Sequence, residues 1–194
     1  MKTKVISLSD NDPEMLHRAA VVMVQGFALS GSPYVPDEKT ALQELSQLLA
    51  EGCLLRVAVV ENGEIVGLIG GQSRYDGNVW ELHALVVHPD YQGQGIGRML
   101  VMALESLASQ HGAVTLWLGA DDVTDLTNLS RRDLYPDPLE ALRAIRNLHG
   151  HPYEFYQKCG FAIVGVLPDA NGYGKPDIFM AKRIGSSTKS ASDA

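Results

Sequence analysis

The chain has 194 residues, 45% hydrophobic and 20% charged, a composition that fits one ordinary globular domain with a sizeable core and no need of metal or disulfide support. Its formal net charge of −7 argues against nucleic acid as a partner, because phosphate contacts need clustered Lys and Arg. Such a field would draw a polycationic substrate, although solubility is the simpler reading of the charge alone.

The opening segment, MKTKVISLSDND, has a basic start but a short apolar run, so no secretory leader is expected. No apolar run is long enough to cross a bilayer, and a cytoplasmic protein without membrane partners is expected. Cys53 and Cys159 match no ligand spacing and read as free thiols of a reducing compartment. Residues 10–29 begin with Asp and Pro, as helices do. Residues 37–51 repeat the helical pattern, with Leu42, Leu45, Leu48 and Leu49 on one face. CLLRVAVV and EIVGLIGG are strand-like and flank Asn62-Gly63, a strong hairpin signal. NVWELHALVV is a third strand. A glycine-rich turn follows, then a helix with Leu100, Leu104 and Leu107 on one face, stopped by Gly112. AVTLWLG is the next strand. Residues 120–152 carry many acids and a helical run, PLEALRAIRNLHG. YEFYQKCG reads as a short helix ended by Gly160, and FAIVGVLP and DIFMAKRI as closing strands. This order predicts a mixed α/β fold built around one sheet, a single domain over residues 1–184. The small, polar residues 185–194 are expected to be disordered.

The turn QGQGIGR holds Gly93, Gly95 and Gly97 between a strand and a helix. Glycine lets a ligand approach the backbone, and a helix N-terminus offers unpaired N–H groups and a partial positive charge. Together they suit a phosphate or pyrophosphate, with a ligand-free turn as the competing reading. The spacing G-x-G-x-G is not the dinucleotide fingerprint, and Ile96-Gly97-Arg98 does not fit a P-loop. The pattern Q/R-x-x-G-x-G/A does fit, through Gln92, Gly95 and Gly97.

That pattern is the acetyl-CoA signature of the GNAT superfamily of N-acetyltransferases, which this chain resembles. The signature follows the strand LHALVV, and FYQKCGF at Phe155–Phe161 is similar to a later helix of that superfamily. Three further segments, WELHALVV, LGADD with LSRRDLYPD, and NLHGHPYEFYQKCGFAIVGVLPDANGYGKPDIFMAKRI, resemble the aminoglycoside 6′-N-acetyltransferases. The resemblance implies a central twisted mixed sheet flanked by helices and splayed at the acetyl-CoA strand. It also implies transfer to a primary amine, foremost the 6′-amine of an aminoglycoside, and a homodimer. Many relatives carry a Trp near the N-terminus. This chain has none before Trp80, which leaves Phe27 or Tyr34 to serve.

The same resemblance assigns the site. Leu85, Val86 and Val87 would pair their main chain with the pantetheine arm, the Leu85 N–H polarising the thioester carbonyl. Gln92, Gly93, Gln94, Gly95, Ile96, Gly97 and Arg98 would hold the coenzyme. Tyr156 would touch it and protonate its thiolate. Glu81 and His83 stand two apart on one strand and so share a face. An acid and an imidazole on an otherwise apolar strand are costly without a purpose. They would line the acceptor cleft, with either taking a proton, directly or through water. Asp121 and Asp122, at the end of a strand, would bind ammonium groups, and Tyr75 would stack on a sugar ring. Asp125, Asp133 and Asp137 extend the acidic region or form a solvated loop. His149 and His151 lack a third ligand at a recognisable spacing, so no metal is expected. The competing functions are acetylation of another polyamine, a small metabolite or a protein amine, and a non-catalytic acetyl-CoA-binding module. The last could dispense with Glu81 and Tyr156, which are both present.

Overall fold

A computed structural model describes residues 2–30 and 34–185. The expected tail therefore lies, from residue 186 on, outside the described residues. Seven strands form one sheet in the order β1-β2-β3-β4-β5-β7-β6. They are β1 (Thr3–Leu8), β2 (Leu54–Val60), β3 (Ile65–Arg74), β4 (Val79–Val87), β5 (Thr115–Asp121), β6 (Ala162–Leu167) and β7 (Asp177–Arg183). The helices are α1 (Pro13–Ser30), α2 (Glu38–Ala50), α3 (Ile96–Gln110), α4 (Pro138–Arg143) and α5 (Tyr153–Lys158). Every neighbouring pair is antiparallel except β4 and β5, which are parallel and linked through α3. This is the mixed α/β sheet expected from the sequence, with two differences.

The first is β1, absent from the predicted elements. Its apolar run is short, and it pairs on one side only, from Thr3 opposite Val60 to Leu8 opposite Leu55. The second is the run from Pro138 to Gly150, where the helix stops at Arg143. The chain there folds back onto residues 126–128. The Asn128 amide donates to the Ala144 carbonyl at 3.0 Å and its Oδ1 accepts the Arg146 N–H at 2.6 Å. The N–H groups of Leu148 and His149 both donate to the Leu126 carbonyl. Those tertiary hydrogen bonds replace the i to i−4 bonds that would prolong the helix.

The sheet separates two cores. Trp80, Leu82, Leu100, Leu104, Leu116, Leu118, Ile178 and Met180 pack on the α3 side, and Met23, Leu45, Leu55, Val57, Leu68 and Val86 on the α1–α2 side. Leu104 has no exposed surface. Leu104→Ala is expected to cost about 2–5 kcal/mol, because α3 cannot collapse onto the rigid sheet to fill the void. Urea unfolding at equilibrium measures it, and a loss below about 1 kcal/mol would mean that the helix does relax.

One irregularity positions the site. Leu85 faces Ile69 across the β3–β4 ladder, but His83 faces Gly70, so Ala84 is an extra residue, at φ 55°. A one-residue bulge reverses which face each later side chain takes. Before it, Trp80 and Leu82 enter the α3-side core; after it, Leu85 and Val87 do, and Val86 turns to the α1 side.

Candidate active site

β4 and β5 pair only from Val79 to Glu81 and from Thr115 to Trp117, and then part. A cavity of about 560 Å³ occupies the gap. Residues 82–87 of β4 form one wall and 119–121 of β5 the other, with Tyr156, Gln92, and Phe27 and Tyr34 of the N-terminal segment among its lining.

On β4 the His88 N–H donates to the Val66 carbonyl at 2.9 Å. Antiparallel alternation then turns the N–H groups of Leu85 and Val87 away from β3 and toward the gap. Gln92 donates from its side chain to the Val87 carbonyl at 3.2 Å, which ties the turn to the strand. Beyond it, Gly93 and Gly95 have φ of 73° and 84°, a left-handed conformation that side chains resist, with open space where a Cβ would stand. Gly95 is the N-cap of α3, so the first N–H groups of that helix have no intrahelical partner. Gly97 serves differently: a Cβ there would stand 3.2 Å from the Phe155 ring of α5. Gln94 bonds to the Asp90 carbonyl, the Ile96 side chain is buried in the core, and Arg98 donates to the Lys158 carbonyl at 2.9 Å. Tyr156 packs edge-on against Phe155 and Phe161 and lines the cavity. Burial, and then the neighbouring Cys159, push its phenol upward, so it keeps its proton across the neutral range.

Acidic side chains line the cavity as well. Glu81, Asp121 and Asp177 line the cavity with His83. Arg74 donates to Glu81 at 2.8 Å. The His83 Nε2 lies 3.3 Å from the Tyr34 hydroxyl and 3.7 Å from Glu44 of α2. Tyr34 donates to Glu44, and burial followed by that carboxylate raises its phenol strongly. Phe27 packs edge-on against Tyr34 at 5.2 Å, so both candidates for the missing Trp stand together at the cavity. Asp121 accepts from Asn171 at 2.5 Å.

The model of the acetyltransferase (GNAT) family matches residues 25–137, more than half of the chain. The chain belongs to the GNAT family. Among solved structures, an aminoglycoside 6′-N-acetyltransferase complexed with coenzyme A is 34% identical, over 96% of this chain and 99% of its own, at a TM-score of 0.84. The aminoglycoside 6′-N-acetyltransferase from Enterococcus faecium is 35% identical over the same shares, also at 0.84. An aminoglycoside 6′-acetyltransferase type Ii is 31% identical over 93% and 97%, at 0.69. No curated protein matches the sequence.

Within this GNAT fold, two expected site residues stand elsewhere. Asp122 is fully buried and lies outside the cavity lining. Its Oδ1 accepts the Leu126 N–H at 2.6 Å, and its Oδ2 accepts the Thr127 N–H, the Thr127 hydroxyl and the Ser130 hydroxyl at 2.9, 2.7 and 2.5 Å. Burial alone would raise its carboxyl; the hydrogen bonds outweigh it and hold the group below its ordinary value. Asp122 organises the loop that follows β5, and of the two acids only Asp121 is among the residues that line the cavity. Tyr75 is 75% exposed in the turn between β3 and β4 and also lies outside the lining, at the paired end of β4 rather than the parted one.

The outer acids have local tasks. Asp125 pairs with Arg131 at 2.6 Å, Asp133 accepts the Tyr135 N–H, and Asp137 caps α4. Buried His151 accepts the Tyr153 N–H at Nδ1 and sits with Nε2 3.2 Å from the Asp121 carbonyl, so both ring nitrogens are engaged. Three residues at the site escape sequence reasoning: Glu44, Trp117 and Asp177. Trp117 and Asp177 read as ordinary members of apolar strands, and Glu44 as one acid on the polar face of a helix. Only strand pairing brings Trp117 and Asp177 to the gap, and only helix docking brings Glu44 beside His83.

Proposed function

We infer that this chain transfers the acetyl group of acetyl-CoA to the 6′-amine of an aminoglycoside, by direct attack in a ternary complex. The observation that carries the reading is one cavity between the parted strands, lined by the edge of β4, by Gln92 at the start of the glycine turn, by Tyr156 and by the acids Glu81, Asp121 and Asp177. Near-complete coverage by 6′-N-acetyltransferases at 34% and 35% identity supports the acceptor class.

The residues fit acetyl-CoA. The bare turn at Gly93 and Gly95 and the open N–H groups of α3 would hold the pyrophosphate. The main-chain edge from Leu85 to Val87, unpaired with β5 and with the Val87 carbonyl accepting from Gln92, would hold the pantetheine amides as a neighbouring strand would. Acetyl-CoA supplies the acetyl group on a thioester. The Leu85 N–H points into the gap, where it can stabilise the oxyanion as the C–N bond forms. Tyr156 gives its proton to sulfur as the C–S bond breaks, and its phenolate takes the proton that the new amide nitrogen must lose. Neither cysteine lines the cavity, and burial raises both thiols, which favours direct transfer over an acyl-enzyme. Glu81 and His83, already held by Arg74 and by Tyr34 with Glu44, are assigned to orienting the ammonium.

Release of coenzyme A with kanamycin, beside an aminoglycoside that carries a hydroxyl at the 6′ position, tests this. Release with kanamycin alone is the expected result. Silence with both, in protein that binds acetyl-CoA, overturns the aminoglycoside reading.

A further inference from the structure

An amine that arrives as an ammonium must lose a proton before it attacks a thioester. Glu81 is compensated by Arg74, and His83 is engaged by Tyr34 and Glu44. Asp177 stands differently. It opens β7, directly across the ladder from Asp121, and lines the cavity. Its Oδ2 lies over the bare main chain of Gly119, where a Cβ would come within 2.3 Å. Its Oδ1 is buried and has no hydrogen-bond partner among the described residues. The position next to it on the β5 wall is therefore kept small, and the carboxylate sits in a seat that a side chain at 119 would fill. We propose that Asp177 is the catalytic residue that takes the proton from the acceptor ammonium. The assignment rests on the reading of the cavity as the site of an aminoglycoside-class amine.

The step balances. One N–H bond of the ammonium breaks, one O–H bond forms on Asp177, the nitrogen keeps the electron pair, and the proton passes to solvent when the product leaves. The titratable groups that act on Asp177 are Asp121 on β5 and Glu81 on β4, while β6 places Leu167 opposite it. Burial, and then the charge of Asp121, push its carboxyl up to about 6, against the pull of the Ala120 and Ile178 N–H groups. Such a group is mostly ionised near neutral pH, yet it accepts a proton far more readily than an ordinary aspartate. Its charge is also a burden on the fold. Because the folded state holds the proton more tightly than the unfolded chain, stability falls as pH rises from the ordinary aspartate value through about 6.

Asp177→Asn tests the assignment through three readouts. With kanamycin near neutral pH, kcat/KM is expected to fall about 10- to 100-fold. The wild-type rate should drop as pH falls through about 6, and this acid limb should be missing from the variant. The variant should also melt several degrees higher near neutral pH, an increase that loss of a structural carboxylate would not produce. An unchanged rate, or an acid limb that persists in the variant, overturns the proposal. Carbon-13 NMR titration of the Asp177 carboxyl needs no turnover. Should wild-type protein prove inert toward kanamycin, the acceptor reading fails, and the titration decides whether Asp177 is built as a base. A value near 6 absent from Asp177→Asn supports it, and an ordinary value near 4 overturns it whatever the acceptor.

Discussion

Tyr156→Phe is expected to slow acetyl transfer by about 100- to 1,000-fold, the range for loss of a positioned proton donor. Acetyl-CoA binding and the melting temperature should hardly change. The substitution removes one oxygen and keeps the ring, whose edge contacts with Phe155 and Phe161 account for its packing. The phenol is suited to giving a proton because burial raises it, so it stays protonated where a thiolate departs. Steady-state kcat together with calorimetric titration of acetyl-CoA separates the two effects. An unchanged kcat would reduce Tyr156 to packing, and a fall in affinity alone would make it a binding residue.

Asp122→Ala is expected to lower stability by about 3–5 kcal/mol, a drop in melting temperature on the order of 10 °C. The carboxylate accepts four hydrogen bonds in a site without solvent, and its removal leaves two N–H groups and two hydroxyls to find new partners. The pH dependence has a definite sign. The folded-state carboxyl is held low, so its contribution is present above the ordinary aspartate value and is lost as pH falls through the lower folded one. The gap between wild type and variant should therefore close below about pH 4. Melting curves across pH measure it. An unchanged melting temperature with weaker amine binding would return Asp122 to the substrate site.

The paired carboxylates at the end of β5 show how far sequence reasoning reaches. Asp121 and Asp122 are identical in residue type and adjacent, and both were natural candidates for ammonium groups. Asp121, the last residue of β5, lines the cavity, and Asp122 is held in the loop that follows by Leu126, Thr127 and Ser130, partners that residue type alone does not show. Glu81 and His83 did show their common face through spacing alone, because no irregularity lies between them. The bulge at Ala84 comes one residue later and is invisible in the run LHALVV, since its cause is the register against β3.

By itself the sequence determined the order of all but one of the elements, the strand-to-helix turn with its positive-φ glycines, and the membership of Leu100, Leu104 and Leu107 in the core. Each of these follows from local rules: periodicity, turn chemistry and the lack of a Cβ. Only the tertiary structure decided that β4 and β5 part after Glu81, that Glu44 reaches His83 from α2, and that Asp177 meets Asp121 across a ladder. Those contacts join residues far apart in the chain, and their partners are chosen by the packing of whole strands and helices rather than by any neighbour in sequence.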